Sequence, residues 1–305
     1  MEKDFLSISD LTKHDINEIF TVASRLKMNR HGRQLEDKVL ALLFEKPSTR
    51  TRLSFEAGIR HLGGSTIYLD AATTQLSRGE SLEDTARMFE RFVDGLIARV
   101  YKHQTLEVIA RCARIPVINA LSDREHPCQI LSDLFTIREK RGRLEEQKIA
   151  YVGDGNNVCN SLILACGVMG IPISVATPPG FGPDQKIVES IKPILKDDFF
   201  ITTEPEEAVQ NASVVYTDVF VSMGDESTKE KRLSVFLPKY QITSDLMSKA
   251  RSGAIFMHCL PAHRGEEVQA EVIDGNQSVV FDQAENRLHV QKALLLKIFN
   301  LISYL

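Results

Sequence analysis

The chain has 305 residues, 43% of them apolar and 26% charged, with a net charge of −4. That balance is ordinary for a soluble globular protein, and acids and bases are interspersed, so there is no clustered basic face for nucleic acid. No apolar run approaches the ~20 residues of a membrane span, and the length suits two domains rather than one core.

The opening segment, MEKDFLSISDLTKHD, is polar and acidic, so neither a signal nor a transit peptide is expected. The five cysteines, Cys112, Cys128, Cys159, Cys166 and Cys259, are odd in number and irregularly spaced, with no CxxC. That pattern predicts reduced thiols in a cytoplasmic protein, not a disulfide framework or a zinc site. His258-Cys259-x3-His263 has a faint metal spacing, but no second ligand pair stands nearby, and no metal is expected.

Residues 10–27 read as a helix with Leu11, Ile16, Ile19, Phe20, Ala23 and Leu26 on its buried stripe. Val39 to Phe44 is a short apolar run bounded by charge, and predicts a buried strand. Pro47 breaks it, Ser48 stands where an N-cap belongs, and Phe55, Ile59 and Leu62 then recur at helical spacing. Ser48, Thr49, Arg50 and Thr51 therefore sit at a strand-to-helix turn, where free N–H groups and the helix dipole favour an anion. Arg50 and Arg52 add donors able to grip a phosphate with two parallel bonds.

The alternation continues with strand 65–69, a polar loop 70–79, a helix capped by Ser81, strand 96–101, helix 106–113 and strand 116–120. A long helix then runs from His126-Pro127 to about Arg141. Strands at 148–152, 171–177, 199–202, 213–217, 254–258 and 278–281 are expected, with helices at 157–169 and 284–305. This rhythm predicts an α/β protein of two domains, each a mostly parallel sheet with helices on both faces. The charged interval Arg141 to Lys148 marks the boundary, giving domains 1–140 and 147–284.

Ligands in such sheets gather beyond the carboxyl ends of the strands. Four unusual stretches fall there: PSTRTR, DGNN, TDVFVSMG and HCLP. They predict a cleft between the domains, with an anionic substrate on one side and a polar partner on the other. Gly153-Asp154-Gly155-Asn156-Asn157-Val158 has two glycines of a dinucleotide fingerprint, but Val158 replaces the third, and Thr177-Pro178-Pro179 stands where a ribose-binding acid belongs. A tight turn into a helix, or Asn156 or Asn157 offering an amide to a zwitterion, fits better. His126 and Gln129 share a helix face, as donor or acid beside an amide, which suits a polarised carbonyl bearing an NH2 group; N-cap chemistry alone is the plainer alternative. Asp218 ends a strand, where it either starts a turn or binds an ammonium group, and Gly224 and the polar tract after it would let that loop move as a lid. His258 and Cys259, adjacent in a strand, point to opposite faces, which argues against a Cys–His nucleophile pair.

Taken together, Ser-Thr-Arg-Thr-Arg at 48–52 and His-Pro-x-Gln at 126–129 resemble the aspartate/ornithine carbamoyltransferase family over nearly the whole chain. Asp218-Val-Phe-Val-Ser222-Met223-Gly224 and His258-Cys259-Leu260-Pro261 look like the ornithine branch, with Phe220 where Trp is usual. The resemblance implies that Ser48, Thr49, Arg50, Thr51, Arg99 and Arg287 bind carbamoyl phosphate, with Arg50, Thr51, Arg99 and His126 around the carbamoyl oxygen and Gln129 on its NH2. Gln75 matches a position that enters a neighbouring subunit's site. Asn157, Asp218, Ser222 and Met223 would hold the amino-acid end of L-ornithine, and Cys259 and Leu260 would flank its δ-amine and the bound carbamoyl group. It further implies carbamoyl transfer giving citrulline in arginine metabolism, no metal or organic cofactor, a final helix 285–305 packed on the first domain, and a homotrimer with shared sites.

Overall fold

The computed structural model describes residues 3–222 and 226–304, which divide into two compact units, Met1–Phe135 with Glu285–Leu305, and Thr136–Ala284. Among the described residues no helix is long and apolar enough to cross a membrane. All five cysteines are free.

The first unit begins with α1 (Lys13–Met28), started by a reciprocal capping box in which the Thr12 side chain accepts from Asp15 N and the Asp15 carboxylate accepts from Thr12 N. Ile16, Ile19, Phe20, Ala23 and Leu26 form its buried stripe. There follow β1 (Val39–Phe44), α2 (Thr49–His61), β2 (Ser65–Asp70), α3 (Leu82–Phe92), β3 (Gly95–Arg99), α4 (His103–Cys112), β4 (Val117–Leu121) and the first turns of α5 (Pro127–Arg141), whose residues from Thr136 on belong to the second unit. The four strands form one sheet in the order β2-β1-β3-β4, and each pairing is parallel. Strand β1 reads as an unbroken apolar run and β3 as one up to its last residue, Arg99, because both faces are covered. Strand β2 is an edge and is only partly buried.

The second unit contains β5 (Ile149–Val152), α6 (Asn157–Met169), β6 (Ile173–Ala176), α7 (Gln185–Leu195), β7 (Phe199–Thr202), α8 (Pro205–Val209), β8 (Val214–Thr217), α9 (Lys229–Phe236), α10 (Ser244–Ser248), β9 (Ile255–His258) and α11 (Ala270–Ile273). Its sheet runs β7-β6-β5-β8-β9, again with parallel pairings throughout. Helix α6 is buried almost all round and ends at Gly170, whose φ of 71° is left-handed.

The expected strand at 278–281 is not formed. Ser278 makes a single bridge to Phe256, and α12 (Val280–Ile298) starts two residues later. The apolar run Val279-Val280-Phe281 is too short to hold a strand against the helical spacing of Gln283, Asn286, Arg287 and Val290 beyond it; these four are buried while Phe281 is exposed. The carboxy-terminal part of α12 belongs to the first unit. There Lys27 Nζ donates to Asn286 Oδ1 at 2.8 Å, Lys297 pairs with Asp15 at 2.8 Å, and buried Lys292 donates to Arg30 O at 3.0 Å beyond the end of α1.

Candidate active site

In the first sheet the chain leaves β1 toward β2 on one side, while β3 lies on the other, so the strand order reverses between β1 and β3. A crevice opens at such a switch point. The register pairs Phe44 with Arg99 there, and Glu45 N donates to Arg99 O at 2.8 Å. Ser48 caps α2 with its side chain accepting from Thr51 N, and its hydroxyl lies 3.0 Å from Thr51 Oγ1. Arg287, from α12, donates through Nη2 to the same Thr51 hydroxyl at 3.0 Å. Thr51, Arg99, His126 and Arg287 are all buried. Burial, then the guanidinium groups of Arg287 and Arg99, hold the pKa of His126 well below the ordinary histidine value. The imidazole is therefore neutral near pH 7, set among cations at a helix N-terminus. Arg50 is half-buried on the first turn of α2, and no hydrogen bond or ion pair engages its guanidinium among the described residues. Such a cluster is arranged for an anion with two or more oxygens.

Gln129 lies one turn into α5, 1% exposed, and its Nε2 donates to Asp133 Oδ1 at 2.9 Å. A carboxylate only accepts, so this bond fixes which way the amide points. Its Oε1 has no hydrogen-bond partner among the described residues. A buried acceptor left open beside a cationic cluster is suited to an incoming N–H donor. Cys128, next to it, donates to Asn119 O, and burial pushes its thiol up to about 12, so it stays protonated and is no nucleophile.

The second unit repeats the arrangement. Its strand order reverses between β5 and β8, and the loops after these two strands meet. Asn156 caps α6, accepting from Val158 N and Cys159 N, and its Nδ2 donates to Asp218 Oδ2 at 2.7 Å. From the end of β9, Cys259 Sγ donates to Asp218 Oδ1 at 3.1 Å. The Asp218 carboxylate, 6% exposed, is thus held by one donor on each oxygen, with lone pairs left for a cation. Leu260, next in chain, has a φ of 59°, an uncommon conformation for a γ-branched residue.

His258 does not point away from Cys259: β9 ends at His258, so strand alternation does not extend to the thiol, which lies within 4.8 Å of a His258 ring nitrogen. The His258 Nδ1 accepts from Leu260 N at 2.9 Å, so Nε2 carries the proton that faces Glu267 Oε1 at 3.2 Å. Asp218, His258 and Cys259 lie close enough to hold an ion, but the imidazole lone pair is already taken by that backbone donor. The dinucleotide reading also fails for a physical reason. A Cβ on Gly155 would lie 2.2 Å from Gly182 C and Pro183 N. The close approach that this glycine permits in dinucleotide sites is made here by the chain's own loop 178–184.

The structure therefore brings Ser48, Thr51, Arg99, His126 and Arg287 together, with Arg50 on the same turn as Thr51 and Gln129 following His126. Thr49 is exposed as the first residue of α2. Gln75 stands apart on the exposed loop after the edge strand β2. Asp218 and Cys259 are joined directly. Ser222 is half-buried beyond Asp218, and Met223 and Gly224 lie outside the described residues. Asn157 is the first residue of α6, whereas the amide bonded to Asp218 belongs to Asn156. The Asn-Asn pair was visible in the sequence, but which of the two is the cap was not.

Two family models match the chain: "Aspartate/ornithine carbamoyltransferase, carbamoyl-P binding domain" over residues 3–139, and "Aspartate/ornithine carbamoyltransferase, Asp/Orn binding domain" over residues 145–298. The ornithine carbamoyltransferase of Methanocorpusculum labreanum is 51% identical, covering 98% of this chain and 98% of its own. Among solved structures, ornithine carbamoyltransferase from Pyrococcus furiosus has a TM-score of 0.92 at 48% identity and covers 96% of both chains. The Thermus thermophilus ornithine carbamoyltransferase has a TM-score of 0.90 at 44% identity, covering 98% of this chain and 99% of that one.

Proposed function

The chain belongs to the aspartate/ornithine carbamoyltransferase family, and on that premise we propose that it transfers the carbamoyl group of carbamoyl phosphate to the δ-amine of L-ornithine, giving L-citrulline and phosphate. The observation that carries the donor assignment is buried Gln129, whose open Oε1 is an acceptor for the carbamoyl NH2. Ser48, Thr49, Arg50 and Arg287 take the phosphate oxygens. Thr51, Arg99 and neutral His126 take the carbamoyl oxygen. In the second unit Asp218, with Asn156, Asn157, Ser222 and Met223, holds the amino-acid end of ornithine, and Cys259 and Leu260 line the path of its δ-amine.

The chemistry rests on those positions. A neutral δ-amine adds to the carbamoyl carbon, and charge builds on the carbamoyl oxygen, where donors already in place stabilise it; one such donor is worth roughly 10²–10³ in rate. The C–O bond to phosphate breaks, and the proton shed by the attacking nitrogen leaves on the phosphate. An alkyl ammonium near pKa ~10.4 must first lose a proton, so the rate rises with pH above neutrality. The protein's own part is positioning and electrostatics.

We further propose a homotrimer with Gln75 reaching a neighbour's site. Leu53, Ile67, Met88 and Phe92 are large apolar side chains exposed on the first unit, whose edge strand β2 is only partly buried. The free thiols support a reducing, cytoplasmic setting, and the product would feed arginine formation. The test is a citrulline assay that offers ornithine, putrescine and aspartate in parallel with carbamoyl phosphate. Citrulline from ornithine alone is expected; a faster reaction with putrescine or aspartate would overturn the acceptor assignment.

A further inference from the structure

We propose that Arg232, which touches no substrate, is the positioning residue for the amino-acid acceptor: it clamps the loop after β5 to the loop after β8, and so sets Asp218 against Asn156 and Cys259. This rests on the ornithine assignment above.

Arg232 lies in α9, inside a charged tract that reads as a solvated face. Its side chain is nevertheless only 14% exposed. One edge of the guanidinium donates through Nε to Phe220 O at 2.6 Å, two residues beyond Asp218. The other edge donates through Nη2 to Asp154 Oδ2, two residues before Asn156. The flat face lies over the rings of Phe181 at 5.0 Å and Phe236 at 5.7 Å. Phe220 is pinned in turn, its ring stacked on Phe236 at 4.6 Å.

The fork thus bridges the same two loops that the Asn156–Asp218 bond ties together. Asp154 is 12% exposed at its side chain, so this pair is partly dry and directional. A planar guanidinium meets a backbone carbonyl, a carboxylate and two rings at once. A lysine ammonium is a single point and does not meet all of them. Without the clamp, Phe220 O loses its donor, Asp154 loses its cation, and the 218–222 loop shifts. Displacement of about 1 Å in a group that orients a reactant costs on the order of 10² in rate.

The experiment compares Arg232→Lys, Arg232→Met, Asp154→Asn and the double variant Arg232→Met/Asp154→Asn. Steady-state kinetics are expected to show KM for ornithine rising and kcat/KM falling by about 100-fold in Arg232→Met, with KM for carbamoyl phosphate within about twofold of wild type. Arg232→Lys should fall between, and the double variant should be no worse than the worse single one, because both break the same clamp. A merely structural residue would lower melting temperature and active fraction while leaving both KM values alone, and that outcome overturns the proposal.

A second readout needs no substrate. Loosening Asp218 from the Cys259 thiol should speed alkylation of Cys259 by iodoacetamide about tenfold in Arg232→Met, followed by peptide mapping. An unchanged alkylation rate would overturn the positioning role. Wild-type protein that makes no citrulline would overturn the ornithine assignment instead, and the alkylation arm would then decide the clamp by itself.

Discussion

Replacing Arg287 by Met removes a buried cation while keeping most of the side chain's length. Arg287 is 3% exposed, donates to Thr51 Oγ1 at 3.0 Å and is the stronger of the two charges acting on His126. Two consequences can be worked from that geometry. A hydrogen bond from a charged donor to a phosphate is worth about 1.5–3 kcal/mol, which converts to roughly a 10- to 150-fold loss of affinity. Removing the larger of the two cationic influences also lets the His126 pKa climb back toward its ordinary value, although burial and Arg99 still hold it down. Calorimetry with inorganic phosphate measures the first effect, and NMR titration of the His126 ring measures the second. Affinity within a factor of two of wild type would refute the assignment of Arg287 to the anion site. A weaker affinity with an unmoved His126 would refute the electrostatic account of the histidine.

Three further outcomes are expected. Lys292 is wholly buried, and burial, then Arg30, lowers its pKa from 10.5 to about 8, so the unfolded chain binds more protons between those values and stability rises with pH across that window; at about 1.4 kcal/mol per pH unit the rise is about 3 kcal/mol, and urea unfolding of Lys292→Met should lack it. Parallel pH profiles for the two proteins would refute this. Gly155→Ala should cost about 1–3 kcal/mol, because its Cβ meets loop backbone at 2.2 Å, whereas Gly182→Ala, with open space around it, should be near neutral in thermal melts. Arg50→Ala and Gln75→Ala proteins, each inactive, should regain part of their activity when mixed and reassembled, and no recovery after verified mixed assembly would refute shared sites.

Much of the first unit was legible because its signals are local and agree with one another. Val39 to Phe44 is apolar throughout, Pro47 stops it and Ser48 caps the next helix, and the observed β1 and α2 are those elements. The expected strand at 278–281 failed because a short apolar run reads alike as strand or helix, and the buried face of α12 decided the matter. Helices α8, α10 and α11 are four or five residues long and carry too little periodicity to be read. Asn156 and Asn157 differ by one step of register, which only the cap geometry resolves. Arg232 was hidden for another reason. The two groups it bridges are a backbone carbonyl and a residue 78 positions away, neither of which leaves a pattern in the sequence around it.

The bond between Gln129 and Asp133 makes the amide a polarity filter. Because Asp133 can only accept, Gln129 cannot rotate to present its NH2 to the ligand without leaving two acceptors face to face inside the protein. The pocket therefore asks for a hydrogen on the group that enters. A carbamoyl phosphate supplies one from its NH2. An acetyl phosphate of nearly the same shape offers a methyl, and would leave a buried carbonyl unanswered. Sites that demand a polar partner turn away analogues lacking it by about 10⁴-fold or more. Discrimination between two near-isosteric acyl phosphates would then be written not at the reacting carbon but in a carboxylate one helical turn behind the residue that reads it.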